Sequence, residues 1–327
     1  MVPGAYRLFA ALFAAFAAAA AARAESLALV FDDISSPAQN AVASGARDAL
    51  KELSVRYGRN FSLENLTGSM ASSTPAEQAK ALEKAAASGA IGVILAPAKG
   101  GDREIAAAVS ALAAKKFPTA MVVRDIPDSG RLCFTRSDAS SEAEAVADQA
   151  SRRGASRPNF KLLCVVAAKE DRFADKEEAK AALTGAISGE VFERIASAYD
   201  CKFALSELFS QFSKKHADDI SLLDNYGIVF FGSAPLMDLT PLPADGDRAF
   251  AMSLEALPHV GRYLHPKQIA YASGQDYYGL GYISAIRLVE NAMDGRVPRK
   301  PEQAIQPKKY GPEDVEKFNA EWLEFMR

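Results

Sequence analysis

The sequence predicts an α/β fold in which parallel strands alternate with helices. Short apolar runs such as Leu27–Phe31 are followed by amphipathic helical patterns, of which Val42, Ala46 and Leu50 form one buried stripe. Strands separated by helices of this length form βαβ units, and the neighbouring strands of such units run parallel. The chain has 327 residues, of which 49% are hydrophobic. It is therefore long enough for two domains and too apolar for intrinsic disorder.

The N-terminal segment predicts export. Arg7 precedes an apolar run rich in alanine, which ends in Ala22-Arg23-Ala24. A basic start, an apolar centre and an A-x-A end are typical of a secretory signal peptide. We expect cleavage to remove residues 1–24 and to release a periplasmic chain that starts at Glu25, without a lipid, since no cysteine stands near this site. An uncleaved membrane anchor is the alternative.

Local signals place the elements of the first half. Ser36-Pro37 predicts a helix start, because proline is favoured at the first helical position. Thr74-Pro75-Ala76-Glu77 is a capping box that opens the next helix. The predicted strands are Leu27–Phe31, Phe61–Leu66, Ile91–Leu95 and Thr119–Val123, with a helix capped by Asp102 before the last of them.

The alternation restarts near Arg131, which indicates a second domain. The predicted strands of this part are Arg131–Thr135, Leu162–Ala167, Val191–Ala198, Gly227–Phe231, Ala249–Leu254 and Gln268–Ala272. The predicted helices are Ser140–Arg152, Phe173–Ile187, Ala204–Lys215, Tyr278–Met293 and a last one from Pro312.

Composition excludes several classes of function. The net charge is −3 and no run of Lys or Arg stands out, so we expect no nucleic-acid partner. The three cysteines leave at least one free thiol, and a Cys133–Cys164 disulfide is one possibility. No Cys/His cluster suggests a metal, no cofactor is expected, and no G-x-S-x-G or H-E-x-x-H motif indicates an enzyme.

Polar residues after the predicted strands are the candidates for a binding site, because ligands of open α/β sheets bind at the carboxyl ends of the strands. Asp32 and Asp33 after the first strand could bind a ligand or a cation, or could be solvated loop acids. Arg124 and Glu255 could bind a ligand, and an interlobe salt bridge is the alternative. The full set by this rule is Asp32, Asp33, Ser35, Ser36, Lys99, Arg124, Asp125 and Glu255.

Several segments together resemble the type I periplasmic substrate-binding proteins, especially the ribose- and galactose-binding branch that serves ABC transporters. The segment around Asp32 resembles the first strand and helix of that family, and Thr135-Arg136-Ser137-Asp138 resembles its first hinge crossing. Ala251–Pro258 resembles a strand that ends in a ligand-binding acid. The similarity is greatest at Gly274–Tyr282, which is similar to the second hinge and the helix after it.

The resemblance implies two Rossmann-like lobes with parallel sheets, joined by a three-crossing hinge. The first lobe would contain residues 25–137 plus 276–305, and the second would contain 138–275 plus 306–327. The resemblance places the hinge at Ser137, Asp138, Gln275 and Ile305. Together with the rule of strand ends, it predicts ligand contacts from Asp32, Asp33, Ser36, Arg124, Glu255, Gln275 and Tyr278.

The resemblance further implies a monomeric receptor that delivers a sugar or polyol to an ABC permease. A ligand-sensing subunit for a chemoreceptor or histidine kinase is the alternative. The family often has stacking phenylalanines where this chain has Ala38 and Gln39. Tyr271, Tyr277 and Tyr278 could supply that stacking face or could pack the hinge.

Overall fold

The computed structural model describes residues 25–33, 36–68, 73–98, 102–154, 158–183, 186–221, 225–232, 234–237, 249–264 and 268–326. The predicted signal peptide, residues 1–24, lies outside these ranges, and so do Ser35 and Lys99.

Strands and helices alternate along the described chain, as the sequence predicts. The strands are β1 (Glu25–Val30), β2 (Phe61–Asn65), β3 (Gly92–Leu95), β4 (Thr119–Val122), β5 (Cys133–Ser137), β6 (Lys161–Ala167), β7 (Arg172–Ala174), β8 (Cys201–Ser206), β9 (Tyr226–Phe231), β10 (Ala249–Ser253), β11 (Ile269–Gly274), β12 (Glu302–Ile305) and β13 (Lys308–Tyr310). The α-helices are α1 (Pro37–Tyr57), α2 (Pro75–Ser88), α3 (Asp102–Ala114), α4 (Ala139–Gly154), α5 (Lys176–Ala182), α6 (Ala186–Ala198), α7 (Phe209–Lys215), α8 (Ala217–Ser221), α9 (Tyr277–Asp294) and α10 (Val315–Phe325). Short 3-10 helices cover Ala234–Leu236, Pro258–Tyr263 and Pro312–Asp314.

The first sheet has the strand order β12-β5-β4-β3-β1-β2, and all its strand pairs are parallel. Consecutive side chains of a strand point to opposite faces. Leu29 therefore packs with Val42 of α1 and Leu280 of α9, whereas Val30 packs with Ile105 of α3 and the α2 side chains on the other face. Helices thus cover both faces, which accounts for strands that are apolar throughout.

The second sheet has the order β13-β11-β10-β9-β6-β8-β7. Its central pairs are parallel, and the two edge strands β7 and β13 are antiparallel to their neighbours. Val166 packs with Val146 of α4 and Phe192 of α6 on one face, while Phe209 of α7 and Trp322 of α10 belong to the core on the other. The predicted α/β class with parallel sheets is confirmed.

Two glycines allow α1 and α9 to lie in contact. A Cβ at Gly281 would overlap the main-chain oxygen of Val42, and a Cβ at Gly45 would overlap that of Tyr278. Glycine is required here because only a residue without a side chain lets two helix backbones approach this closely. The close contact fixes α9 against the first sheet.

Three predicted elements of the second half are wrong. The predicted helix 173–187 begins in strand β7, and α5 covers only Lys176–Ala182. Residues 191–198 belong to helix α6 and not to a strand, because Val191, Phe192 and Ile195 recur at helical spacing and are all buried. The predicted helix 204–215 begins as strand β8, and α7 follows only at Phe209. A short run of apolar residues does not by itself distinguish a buried helix from a buried strand.

The cysteine pair considered from the sequence is also wrong. Cys133 lies in the first sheet and Cys164 in the second, so their thiols belong to separate cores. All three cysteines are free thiols. Cys164 instead lies beside Cys201 on the neighbouring strand β8. This contact raises the pKa of Cys164 and lowers the pKa of Cys201.

The chain passes between the two sheets at three adjacent points. The first crossing leads from β5 to α4, the second from β11 to α9, and the third from β12 to β13. The Asp138 main-chain N–H donates to the Ile305 oxygen at 2.7 Å, which joins the first crossing to the third. The Asp276 main-chain N–H donates to Ser137 Oγ at 3.3 Å, which joins the first to the second.

Candidate functional site

Asp32 is the candidate residue that follows β1 and lies half-buried at the carboxyl edge of the first sheet. Burial raises the pKa of its carboxyl, and the Asp33 carboxylate raises it further. Main-chain N–H groups and the Arg124 guanidinium act in the opposite direction. The Asp32 main-chain oxygen accepts a hydrogen bond from the Ser73 N–H at 2.6 Å, so the chain before α2 is joined to the end of β1.

Arg124 follows β4 and reaches the end of the neighbouring strand β3. Its Nε donates to the Pro97 oxygen at 3.2 Å, and its Nη2 donates to the Ala98 oxygen. The turn that presents it contains Val123 at φ 66°, a left-handed conformation that is an outlier for a β-branched residue. Strain of this kind persists only where surrounding contacts impose it, and it is frequent at binding sites. The guanidinium is thus oriented beside Asp32.

Asp125, a further candidate from the sequence, forms an ion pair with Arg131. Both of its carboxylate oxygens accept hydrogen bonds from Arg131, through Nε and Nη2. The two side chains are about nine-tenths buried, and the Asp125 carboxylate raises the pKa of Arg131. A paired, buried carboxylate of this kind stabilises the turn that also carries Arg124.

Glu255 lies in the tight turn after β10. Its N–H donates to Ser253 Oγ at 3.2 Å, and the Ser253 hydroxyl donates to the Glu255 main-chain oxygen at 2.6 Å. The next residue, Ala256, accepts a hydrogen bond from Trp322 Nε1 at 3.1 Å. Helix α10 therefore holds the turn that carries Glu255.

Tyr277, at the start of α9, brings the two sides of the site together. It is buried, and burial is the largest cause of its strongly raised pKa. The carboxylates of Glu255, Glu142 and Asp32 raise this pKa further, so acids of both sheets lie near the tyrosine. Asp32, whose pKa Arg124 lowers, and Glu255 therefore both act on the Tyr277 hydroxyl.

Glu142 is a functional candidate that we did not derive from the sequence. It lies in the first turn of α4 with only 3% of its surface exposed. Burial raises its pKa to about 7, the Ser273 hydroxyl and Lys309 act against this, and the Glu255 carboxylate adds to it. The sequence contains a signal for the burial of Glu142. It precedes Val146 and Ala150 at intervals of four, on the buried stripe of the helix.

A row of buried polar atoms on β11 and just after it lies near the same group of acids. Tyr271 Oη, Ser273 Oγ and Gln275 Oε1 are buried and have no partner of normal geometry in the described residues. They occupy alternate positions along β11 and its extension, so they lie on one side of the chain. Gln39 Oε1 at the start of α1 is a further buried oxygen of this kind. Buried polar atoms whose hydrogen bonds are not satisfied with normal geometry can bind a ligand or water.

The remaining predicted residues lie at the margin of this group or away from it. Ser36 is half-buried at the start of α1, and its N–H donates to the Asp33 oxygen at 3.2 Å. The hydroxyl of Tyr278 donates to Asp48 of α1 at 3.1 Å, and its ring stacks on Phe325 with centroids 5.7 Å apart. These contacts belong to helix packing, so the structure favours Tyr277 over Tyr278 as the tyrosine of the cleft.

The predicted hinge residues lie together. Ser137, Asp138 and Ile305 are joined through the two hydrogen bonds between crossings described above, and Gln275 directly precedes the second of these crossings. Whether they bend remains a prediction.

The described residues contain no helix long and apolar enough to cross a membrane. Within the same ranges, no group of three or more His, Cys, Asp or Glu side chains is arranged to hold a metal ion.

Comparison with known proteins identifies the fold. An arabinose-binding protein from Geobacillus stearothermophilus matches with a TM-score of 0.68 and 12% identity, over 90% of this chain and 99% of its own. A periplasmic ribose ABC transporter protein from Conexibacter woesei matches with a TM-score of 0.66 and 15% identity, over 92% of this chain and 96% of its own. A chain of a XylFII–LytSN complex matches with a TM-score of 0.61 and 13% identity, over 89% of this chain and 99% of its own. At these identities the likeness shows the fold alone.

No curated protein sequence matches the chain significantly. The family model described as periplasmic binding protein domain matches residues 27–296, which is most of the chain. This span includes both sheets up to the end of α9, together with Asp32, Arg124, Glu255 and Tyr277. The resemblance stated from the sequence is thereby confirmed: the chain belongs to the periplasmic binding protein family.

Proposed function

We propose that the protein is a periplasmic receptor that binds a small, uncharged, hydroxyl-rich solute, a sugar or polyol, for an ABC importer. The observation that carries this is that carboxylates from both sheets act on the Tyr277 hydroxyl, and that the Arg124 guanidinium acts on one of them. Arg124 comes from the first sheet, Glu255 and Gln275 come from the second, and acids of both sheets influence the same tyrosine.

This group suits a neutral polyol. A carboxylate and a guanidinium each form two charge-assisted hydrogen bonds to adjacent hydroxyls. Together they leave little net charge when a neutral ligand covers them, and an amide such as Gln275 both donates and accepts. The names of the structural relatives, which include arabinose-binding and ribose transporter proteins, support a pentose-like solute.

The lobes that close on this solute would be residues 25–137 plus 276–305 and residues 138–275 plus 306–327. The assignment is supported by β12 and α9, which join the first sheet, and by β13 and α10, which join the second. Family membership supports a periplasmic location, and removal of residues 1–24 is tested by sequencing the N terminus of the exported protein. A start at Glu25 supports this proposal, and a start at Met1 contradicts it.

The test of the site is calorimetry with D-ribose, L-arabinose, D-galactose and linear polyols. Arg124→Ala, Glu255→Gln and Gln275→Ala are each expected to weaken binding by roughly one to two decades, as for a lost charged or buried partner. Matched controls are Arg103→Ala and Glu144→Gln, whose side chains are exposed on α3 and α4. If the three cleft variants bind as tightly as these controls, the solute lies elsewhere.

Delivery to a membrane sensor is the second candidate function. It is favoured by the structural relative whose name is a XylFII–LytSN complex, in which this fold is bound to another protein. Co-purification of the ligand-loaded protein with its membrane partner separates the two candidate functions. An ATPase subunit in the purified complex indicates an importer, and a complex without one indicates a sensor.

A further inference from the structure

The carboxyl of Glu142 lies where all three crossings enter the second sheet. Glu142 is in the first turn after the first crossing, and Ser273 belongs to the strand that leads into the second. Lys309 follows the third crossing directly and is the register partner of Ser273 in the β11–β13 ladder. The Glu142 side chain therefore lies at the point where the crossings meet the second sheet, and Tyr277 at the start of α9 is the neighbour that belongs to the first lobe.

Burial is the main reason that this carboxyl favours its neutral form; of the groups that face it, Glu255 adds to the effect, whereas Ser273 and Lys309 oppose it. The facing groups are Tyr271 and Ser273 of β11, Glu255 after β10, Tyr277 of α9 and Lys309 of β13. Lys309 is the only cation among them and is itself exposed, whereas Glu255 is a second acid. A protonated Glu142 can donate a hydrogen bond to Ser273 or Tyr271, whose buried hydroxyls otherwise have no partner of normal geometry in the described residues.

Two other elements, β9 and α6, pack against α4, and no charged group of either contributes to the pKa of Glu142; Arg194 of α6 is exposed. Strand β9 consists of Tyr, Gly, Ile, Val and Phe residues. The two acids of α6 are each paired with a cation, Glu190 with Arg136 and Glu193 with Lys176 and Lys180. The electrostatics of Glu142 are therefore set by the hinge.

We propose that Glu142 is a proton-binding switch of the hinge, protonated when the lobes close on a ligand and ionised when they open. The inference rests on the proposed function and extends it to the regulation of the same cleft. Closing expels water from the cleft, which strengthens the repulsion between Glu142 and Glu255 and makes the ionised form costlier. Ligand binding then takes up a proton, and by linkage the affinity decreases as the pH rises above neutrality.

The proton site is tested without ligand by a carbon-13 NMR titration of glutamate carboxyls. In the native protein and in the control variant Glu144→Gln, one glutamate is expected to titrate near neutral pH. This signal is expected to be missing in Glu142→Gln, which keeps the shape of the neutral acid. In Lys309→Met, which removes an exposed cation, the midpoint is expected to move to higher pH. Ordinary acidic titration of every glutamate overturns the proposal.

The coupling is tested by calorimetry with D-ribose, L-arabinose and D-galactose at about pH 6 and about pH 8.5. Native affinity is expected to be about tenfold weaker at the higher pH for each pKa unit that closure adds to Glu142, and the affinity of Glu142→Gln is expected to be equal at both. A sugar that binds the native protein equally at both pH values overturns the proposal, and so does an unchanged pH dependence in Glu142→Gln. If no sugar binds at either pH, the proposed function fails for these sugars, and the NMR titration decides on the proton site.

Discussion

Gln78 shows how a single buried side chain builds the edge of the cleft. Only 1% of it is exposed, its Nε2 donates to the Ala96 oxygen at 2.9 Å, and its Oε1 accepts from the Ala98 N–H at 2.8 Å. The same segment supplies the Pro97 and Ala98 oxygens that hold Arg124. One amide thus holds the segment to which the guanidinium is hydrogen-bonded.

We expect Gln78→Ala to lower the free energy of unfolding by about 2 kcal/mol, because two buried main-chain groups lose their partner. Sugar affinity is expected to decrease as well, since Arg124 loses its support. Urea denaturation and calorimetry measure the two effects. Glu83→Ala, an exposed position on the same helix, is the control, and equal stability of the two variants would contradict the prediction.

Glu142 makes stability depend on pH with a defined sign. Its pKa is raised from 4.5 to about 7 in the folded chain, so the native state binds the proton more tightly than the unfolded state. The stabilisation is complete below about pH 4.5 and is lost as the pH rises through about 7. Relative to the native protein, Glu142→Gln is expected to become more stable on going from acidic to mildly alkaline pH, by about 3 kcal/mol at most. Urea denaturation across this range measures the difference, and parallel curves for both proteins would contradict the prediction.

At the scale of elements, the contact between α1 and α9 depends on Gly45 and Gly281. We expect Gly281→Ala to destabilise the protein by about 1–3 kcal/mol, because a methyl group would force two helix backbones apart. Gly189→Ala is the matched control. Its Cβ would meet nothing within 4 Å, so inside α6 it should stabilise by about 0.5–1 kcal/mol. Thermal unfolding of both variants gives the comparison, and changes of equal sign would contradict it.

At the scale of the whole molecule, two sheets joined by three adjacent crossings are expected to move as lobes about those crossings. Saturation with a bound sugar should therefore decrease the radius of gyration in small-angle X-ray scattering. Glu255→Gln at the same sugar concentration should show a smaller decrease, because less ligand is bound. An unchanged radius of gyration for the native protein at proven saturation would contradict hinge closure.

The sequence by itself determined the class of fold and the positions of many elements. The capping box at Thr74, the proline at the start of α1 and the buried stripe of α9 act through neighbours in the chain, so local patterns reveal them. Asp32, Arg124 and Glu255 were found because the ends of parallel strands are recognisable in a sequence and meet at one edge of a sheet.

Only the tertiary structure decided which of these residues act together. Tyr277 faces the acids while Tyr278 packs on α1, although the two are adjacent in sequence, because a helix turns consecutive side chains by about 100°. Glu142 became a candidate only when β11, β13 and the turn after β10 surrounded it. These contacts join residues more than a hundred positions apart, and a local pattern carries no information about which distant groups share a buried site.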